Sequence, residues 1–288
     1  MKLIIMTDAS CDLPPDFIDE NEVPFLGLTC CFKGKEYEDD FGKSLGREEF
    51  YKGLKEGEMP STSQINEFRF VEKFKELLKQ KVPIIYIGMS SGLSGTFNSA
   101  KLAREIIMEE YKDADITLID TRCSSIGQGI LVYNAYKMIK ENFLKEDIIN
   151  WIENTKTKVN HWFVVEDLKH LKRGGRISVS KAAIGTLLDI KPIICITEDG
   201  TLKNVDSIRG RKRAIKYLIE KLKEQCENPS EQLIGIAHGD CLEDARALKK
   251  VIENQFKTKN VILSELGLGM ASHCGRGMLA LCFIGKER

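Results

Sequence analysis

Met89-Ser90-Ser91-Gly92-Leu93-Ser94-Gly95-Thr96-Phe97 gathers hydroxyls and glycines in one short stretch. It follows the apolar run Val82-Pro83-Ile84-Ile85-Tyr86-Ile87-Gly88, which reads as a buried strand. It precedes Asn98 to Met108, where Leu102, Ala103, Ile106 and Ile107 recur at helical spacing. The loop therefore joins a strand's carboxyl end to a helix's amino end, the edge at which open α/β sheets bind ligands. Unpaired helix N–H groups favour an anion there, so the chemistry expected is capture of a carboxylate or phosphate. A second hydroxyl group, Pro60-Ser61-Thr62-Ser63-Gln64, stands at another expected helix start. Helix capping needs only one of its hydroxyls. Alternatively, two hydroxyl loops on one sheet edge can converge on an oxyanion without a full positive charge. His273 lies in the glycine-dense run Gly267-Leu268-Gly269-Met270-Ala271-Ser272-His273-Cys274-Gly275-Arg276-Gly277, read as a cleft-forming loop. It is either a satisfied structural group or a donor to the same oxyanion, able to orient Thr62 or Ser94.

Ser94 with His273 also admits nucleophilic catalysis, which needs a base in hydrogen-bond reach and an acid behind it. The context Gly92-Leu93-Ser94-Gly95 is not a Gly-x-Ser-x-Gly elbow. Asp8, Asp12 and Asp120 follow strand-like runs and suit turn capping better than a metal. Dinucleotide and Walker glycine patterns are absent. Lys172-Arg173-Gly174-Gly175-Arg176 and Arg209-Gly210-Arg211-Lys212-Arg213 are basic clusters. They read as solvated helix ends or as a docking patch for an acidic partner or phosphate.

The 288 residues carry 43 Lys plus Arg against 43 Asp plus Glu, a net charge of zero. Global attraction to nucleic acid or to an anionic membrane is thus not expected. Hydrophobic residues make up 42% and charged residues 30%, a globular composition. No apolar run approaches the roughly 20 residues of a spanning helix. Met1-Lys2-Leu3-Ile4-Ile5-Met6-Thr7-Asp8 reaches an acidic residue too early for a signal peptide, so a cytoplasmic location is expected. Nine cysteines without Cys-x-x-Cys fit reduced core thiols and neither zinc nor disulfides.

The elements that must position these residues alternate. Strand 3–7 is followed by a helix from about Pro14 and a β-hairpin arm within 23–38. A helix covers 47–56, and another runs to about Gln80 with Phe68, Val71, Phe74 and Leu78 as its buried stripe. Strand 82–88, helix 96–111, strand 115–120 and helix 125–142 complete a doubly wound, mostly parallel sheet, with a connecting helix near 145–158. Beyond it come strand 161–165, a brief helix 168–171, a helix at 182–188, and strands 189–197 and 201–207 joined at Asp199-Gly200. Helix 210–226, strand 232–238, helix 241–256, strand 260–264 and strand 279–284 follow. This second half reads as a smaller α+β domain, giving domains 1–158 and 159–288 with a large shared interface.

Met6-Thr7-Asp8-Ala9-Ser10-Cys11-Asp12-Leu13-Pro14, Ser61-Thr62-Ser63-Gln64, Ser90-Ser91-Gly92-Leu93-Ser94-Gly95-Thr96-Phe97 and Asp167 to Ile177, in this order, resemble the successive motifs of DegV proteins, from about residue 2 to 285. The resemblance implies a fatty-acid-binding protein similar to the FakB subunit of bacterial fatty acid kinase, not an enzyme itself and without a cofactor. It implies a long-chain acid at the domain junction with its tail in an apolar tunnel. The carboxylate ligands would be Thr62, Ser94 and His273, supported by Ser63, Gly95 and Thr96. A partner kinase would phosphorylate the bound carboxylate to an acyl phosphate, and Arg173 and Arg176 would face it. No nucleic acid and no stable membrane insertion are implied. Ile65 stands where the family commonly has Pro, and Arg276 where it commonly has Pro between two glycines; Arg276 would add charge near the headgroup. The rival readings are a serine hydrolase using Ser94 and His273, and a regulator binding a phosphorylated metabolite.

Overall fold

The computed structural model describes residues 3–178 and 189–288, so the helix expected at 182–188 lies outside the described residues. Strand β1 (Ile4–Asp8) is buried at every position, which an alternating half-exposed strand would not allow. A 3-10 turn, Ala9–Cys11, leads to α1 (Pro15–Glu20), which opens on a proline in its first turn. Then come β2 (Phe25–Leu26), β3 (Thr29–Phe32), β4 (Lys35–Glu38), α2 (Arg47–Lys55), β5 (Ser61–Ser63) and α3 (Glu67–Leu78). The alternating part follows as β6 (Ile84–Gly88), α4 (Thr96–Glu110), β7 (Ile116–Asp120), α5 (Ser125–Lys140) and α6 (Lys145–Thr155). The second half holds β8 (Val159–Val164), α7 (Lys169–Arg173), β9 (Ile190–Ile196), β10 (Leu202–Arg209), α8 (Arg211–Gln225), β11 (Ile234–His238), α9 (Leu242–Phe256), β12 (Val261–Glu265), α10 (Leu268–Cys274) and β13 (Leu279–Ile284). Among the described residues, no helix is long and apolar enough to cross a membrane.

The strands form a parallel sheet β2-β1-β6-β7, a mixed sheet β10-β9-β8-β13-β11-β12 and an antiparallel arm β4-β3-β5. The parallel sheet is covered on both faces. Ile5, Ile85, Ile87 and Ile119 face one apolar cluster with α5, while Ile4, Met6, Ile84, Tyr86 and Ile116 face another with α3 and α4. Two-sided burial explains the near-continuous apolar runs of β1 and β6. The fold class expected from the sequence therefore holds, and the β-hairpin arm is present.

Five local expectations change. The apolar stretch from Val23 to Phe32 breaks at Gly27-Leu28 into β2, which pairs with β1, and β3, which pairs with β4 and β5; glycine fits the crossing, since a Cβ at Gly27 would lie 2.0 Å from the Asp39 carbonyl oxygen. The stripe of α3 is Phe70, Phe74 and Leu77, whereas Phe68 is 67% exposed. Leu102 and Ile106 of α4 also face outward, and Ala100, Ala103 and Ile107 carry its packing. Ser61-Thr62-Ser63 is a strand and no cap: α3 is capped by Asn66, whose side-chain oxygen accepts from Arg69 N at 3.0 Å. Finally, Leu268–Cys274 within the glycine-dense run is helical.

Candidate functional site

β5 pairs antiparallel with β3, Cys30 opposite Thr62, so Ser61 and Ser63 point outward and Thr62 inward. Thr62 Oγ1 lies 2.7 Å from His273 Nε2. His273 reaches this point from the last turn of α10, whose first turn is held by two buried carboxylates. Asp12 Oδ1 accepts from Gly267 N at 2.7 Å, and Asp39 Oδ2 accepts from Gly269 N at 2.8 Å. Burial first, then the guanidinium groups of Arg176 and Arg173, push His273 down to about 4. The imidazole is thus neutral near neutral pH. Its Nδ1 is buried with no hydrogen-bond partner among the described residues.

The other hydroxyl loop arrives at the amino end of α4. Ser94 Oγ accepts from Thr96 N at 3.2 Å and shares a 2.9 Å hydrogen bond with Thr96 Oγ1. Thr96 Oγ1 accepts from Ile65 N at 3.3 Å, and Gln64 Nε2 donates to Ser99 Oγ at 3.0 Å. These bonds stitch the two hydroxyl segments together. Proline at position 65 would lack that N–H, so Ile65 adds one tie between them. Gly95 is needed for the approach, since a Cβ there would meet Gln64 Oε1 at 2.1 Å. Ser63 stays on the outer face of the arm.

Arg173 and Arg176 do more than end a helix. Arg173 Nη2 donates to Pro60 O at 2.9 Å and Ser272 O at 3.3 Å, and Arg176 Nε donates to Leu93 O at 3.1 Å. The basic turn thus clips β5, α10 and the Ser94 loop to one another. A Cβ at Gly174 would sit 2.2 Å from His273 Nδ1, so the turn packs directly on the imidazole. Arg276 does not join this group: it pairs with Asp240, Nε to Oδ2 at 2.6 Å, and adds no charge beside His273.

Thr62, Ser94, Arg176 and His273 share the wall of a cavity of about 70 Å³ with apolar residues that include Leu28, Met89, Phe163, Met270 and Met278. A larger groove of about 1620 Å³ lies elsewhere, along Phe68, Arg69, Lys73 and Glu76. Its charged walls, ion-paired at Lys73–Glu76 and Lys75–Glu110, suit an acyl chain less well. The hydrolase reading lacks its geometry. No hydrogen bond among the described residues joins Ser94 to His273, and no acid partners His273 Nδ1.

Asp8 and Asp120 hold turns as expected, whereas Asp12 does not: its carboxyl accepts from Ser125 Oγ and Gly267 N, far along the chain. Asp8 accepts from Ser10 N at 3.2 Å, Met89 N at 2.9 Å and Tyr86 Oη at 2.7 Å. Asp120 accepts from Ser91 Oγ at 2.6 Å and Arg122 N at 3.1 Å. Sequence reasoning missed His161, Ser124, Ser125 and Met278, which also line the cavity. They come from β8, α5 and the approach to β13, and a strand alternation carries no sign of which residue faces a hollow.

The family model for uncharacterised proteins of the DegV family matches residues 2–286. A DegV domain-containing protein of Clostridium perfringens is 45% identical over 100% of this chain and 99% of its own length. Among solved structures, a fatty-acid-binding DegV family protein from Thermus thermophilus superposes with a TM-score of 0.87 at 26% identity, covering 99% of this chain and all of that one. DegV of Bacillus subtilis, described as a fatty acid binding protein, gives 0.84 at 30% identity, covering 99% of this chain and 100% of its own.

Proposed function

The chain belongs to the DegV family, and from that premise we propose that it binds a long-chain fatty acid. The tail lies in the apolar cavity, and the carboxylate meets Thr62, Ser94 and His273. In this reading residues 1–158 and 159–288 are two domains and the acid sits at their junction. One observation carries it: an uncharged Thr62–His273 pair set in the wall of an otherwise largely apolar cavity.

The energetics divide between tail and head. Each buried methylene contributes about 0.8 kcal/mol, so a long tail supplies most of the affinity, less the ordering costs of association. The head must keep its charge solvated, because an unpartnered buried carboxylate is costly. Thr62 and Ser94 offer hydroxyl donors that can rotate, and His273 offers an uncharged ring. Arg176 already spends its Nε on Leu93 O, so it acts on the carboxylate chiefly as a nearby positive charge. A head held by hydroxyls remains open to further chemistry in a way that a bidentate arginine clamp would not.

The finer part of the proposal is presentation. The protein has no catalysis of its own and needs no cofactor. In the cytoplasm it offers the bound carboxylate to a partner kinase, which forms the acyl phosphate. Arg173 and Arg176 lie beside the head and face that partner. Native mass spectrometry of the purified chain tests the ligand: a copurified long-chain acid is expected, and a phosphorylated metabolite in its place would overturn the reading. Acyl phosphate formation with a candidate kinase, lost in Ser94→Ala, tests the presentation.

A further inference from the structure

The Ser94 loop is bracketed by the second half of the chain. On one side Arg176 Nε donates to Leu93 O at 3.1 Å. On the other, Ser90 Oγ donates to Gly200 O at 2.7 Å, at the tip of the β9–β10 hairpin. Tip and loop touch through two glycines. A Cβ at Gly92 would lie 2.9 Å from Gly200 O, and one at Gly200 would lie 2.2 Å from Ser90 Oγ. Gly200 also turns the hairpin with φ +79°, a conformation that favours glycine. Two more carbonyls of the tip accept along the same seam, Asp199 O from Arg122 Nη1 at 2.8 Å and Thr197 O from Arg288 Nη1 at 3.0 Å. Asp120 Oδ2 ties the seam to the loop, taking Arg122 Nε at 3.0 Å and Ser91 Oγ at 2.6 Å.

Ser90 turns that contact into a place for Ser94. It is fully buried, and its hydroxyl gives its one proton to Gly200 O while accepting from Gly92 N at 3.1 Å. Its N–H donates to Cys123 O at 2.8 Å. Its carbonyl accepts from Leu93 N at 3.1 Å and from Ser94 N at 3.3 Å. The turn 90–94 is therefore closed by Ser90 at one end and carries Ser94 at the other. A shift of Ser90 shifts the backbone behind the Ser94 hydroxyl, and a polar contact to a ligand is lost with a displacement of about 1 Å.

Resting on the fatty-acid reading, we propose that Ser90 is a positioning residue. It takes its place from Gly200 and, through the turn 90–94, sets the Ser94 hydroxyl against the carboxylate. The head site is complete only while the β9–β10 hairpin is seated on the loop, so the second half of the chain governs a ligand hydroxyl that the first half supplies.

The test measures hexadecanoic acid and its methyl ester by competition against a fluorescent fatty acid, calibrated in each of wild type, Ser90→Ala, Ser94→Ala and the double variant. The ester has the same tail without the charge, so it reports the tail site and the integrity of the fold. Ser90→Ala is expected to weaken the acid about fivefold or more and to leave the ester within about twofold. The double variant should be no weaker than Ser94→Ala, because Ser90 acts through Ser94. Gly200→Ala, which forces tip and loop apart, makes the same test from the hairpin side should Ser90→Ala not fold, and the same loss confined to the acid is expected. Equal losses for acid and ester, no loss for either, or losses that multiply in the double variant would overturn the positioning role and leave the head site standing. A wild type that holds the ester as tightly as the acid would overturn the carboxylate reading itself, and this inference with it.

Discussion

At the level of single residues, His273 and Thr62 decide the character of the site. A neutral imidazole bonded to a hydroxyl adds no fixed charge, so in the proposed function the pair would serve a carboxylate through orientation. Thr62→Val keeps the shape and removes the hydroxyl. It should weaken a fatty acid while leaving the corresponding fatty alcohol or methyl ester nearly unchanged, as isothermal titration would report. The low pKa has a second consequence. His273 titrates at about 4 in the fold and at 6.5 when unperturbed. Between those values the unfolded chain binds more protons, so this residue's contribution is present above 6.5 and is lost as pH falls toward about 4. His273→Gln should therefore destabilise less at pH 4.5 than at pH 7.5 in urea unfolding; equal losses at both would contradict the sign. Thr62, Ser94 and His273 were legible because hydroxyls and an imidazole stand out among apolar strands. His161 was not, since in the run His-Trp-Phe-Val-Val the sequence reads only as strand.

At the level of elements, α10 is the piece whose position matters most, and its misreading is instructive. Glycines lower helix propensity, so Gly267 to Gly277 reads as loop. In the fold two of them serve close approach: a Cβ at Gly267 would meet Asp39 Oδ2 at 2.7 Å, and one at Gly269 would meet Leu28 Cδ1 at 2.9 Å. The short helix is then held by carboxylates from distant segments, a tertiary arrangement that local spacing cannot carry. β5 is a parallel case, where pairing with β3 overrides the preference of Ser and Thr for caps. Asp39→Ala would leave the Gly269 N–H without its acceptor at a cost of about 1–3 kcal/mol, and by loosening α10 it should also weaken fatty-acid binding. Asp12 supplies the test by pH. Burial raises it from 3.8 to about 7, so the folded state holds its proton more tightly. Its contribution is fully present below 3.8 and is lost as pH rises through about 7. Asp12→Asn removes that dependence, and its stability relative to wild type should rise as pH goes from 4 to 7.5. A relative stability that falls over this range would show that burial does not govern Asp12.

Over the whole molecule, the parallel and mixed sheets meet through α5. Its first turns, Ser125 to Val132, are buried, which explains why a strict amphipathic stripe is missing from the sequence there. The helix contacts β1 and β6 on one side and β8, β11 and β13 on the other. Gly127 admits His161, and Ile126 packs on Gly235, where a Cβ would come within 2.7 Å. One apolar cluster accordingly runs from Ile5 and Ile85 through Ile126 and Ile130 to Phe163 and Cys282. The sheets do divide between β7 and β8, near the boundary read from the sequence at residue 158, but the core does not divide with them. A continuous core implies cooperative unfolding of the two halves. The two tryptophans test this, since Trp151 lies on α6 and Trp162 on β8. Trp151→Phe and Trp162→Phe each leave one reporter in one half. Both should melt with the same midpoint in each variant as circular dichroism gives, and palmitic acid at a hundredfold over its Kd should stabilise both by about 2.7 kcal/mol. Two separated midpoints, or a ligand shift confined to one reporter, would mean that the halves fold independently and that the acid grips only one of them.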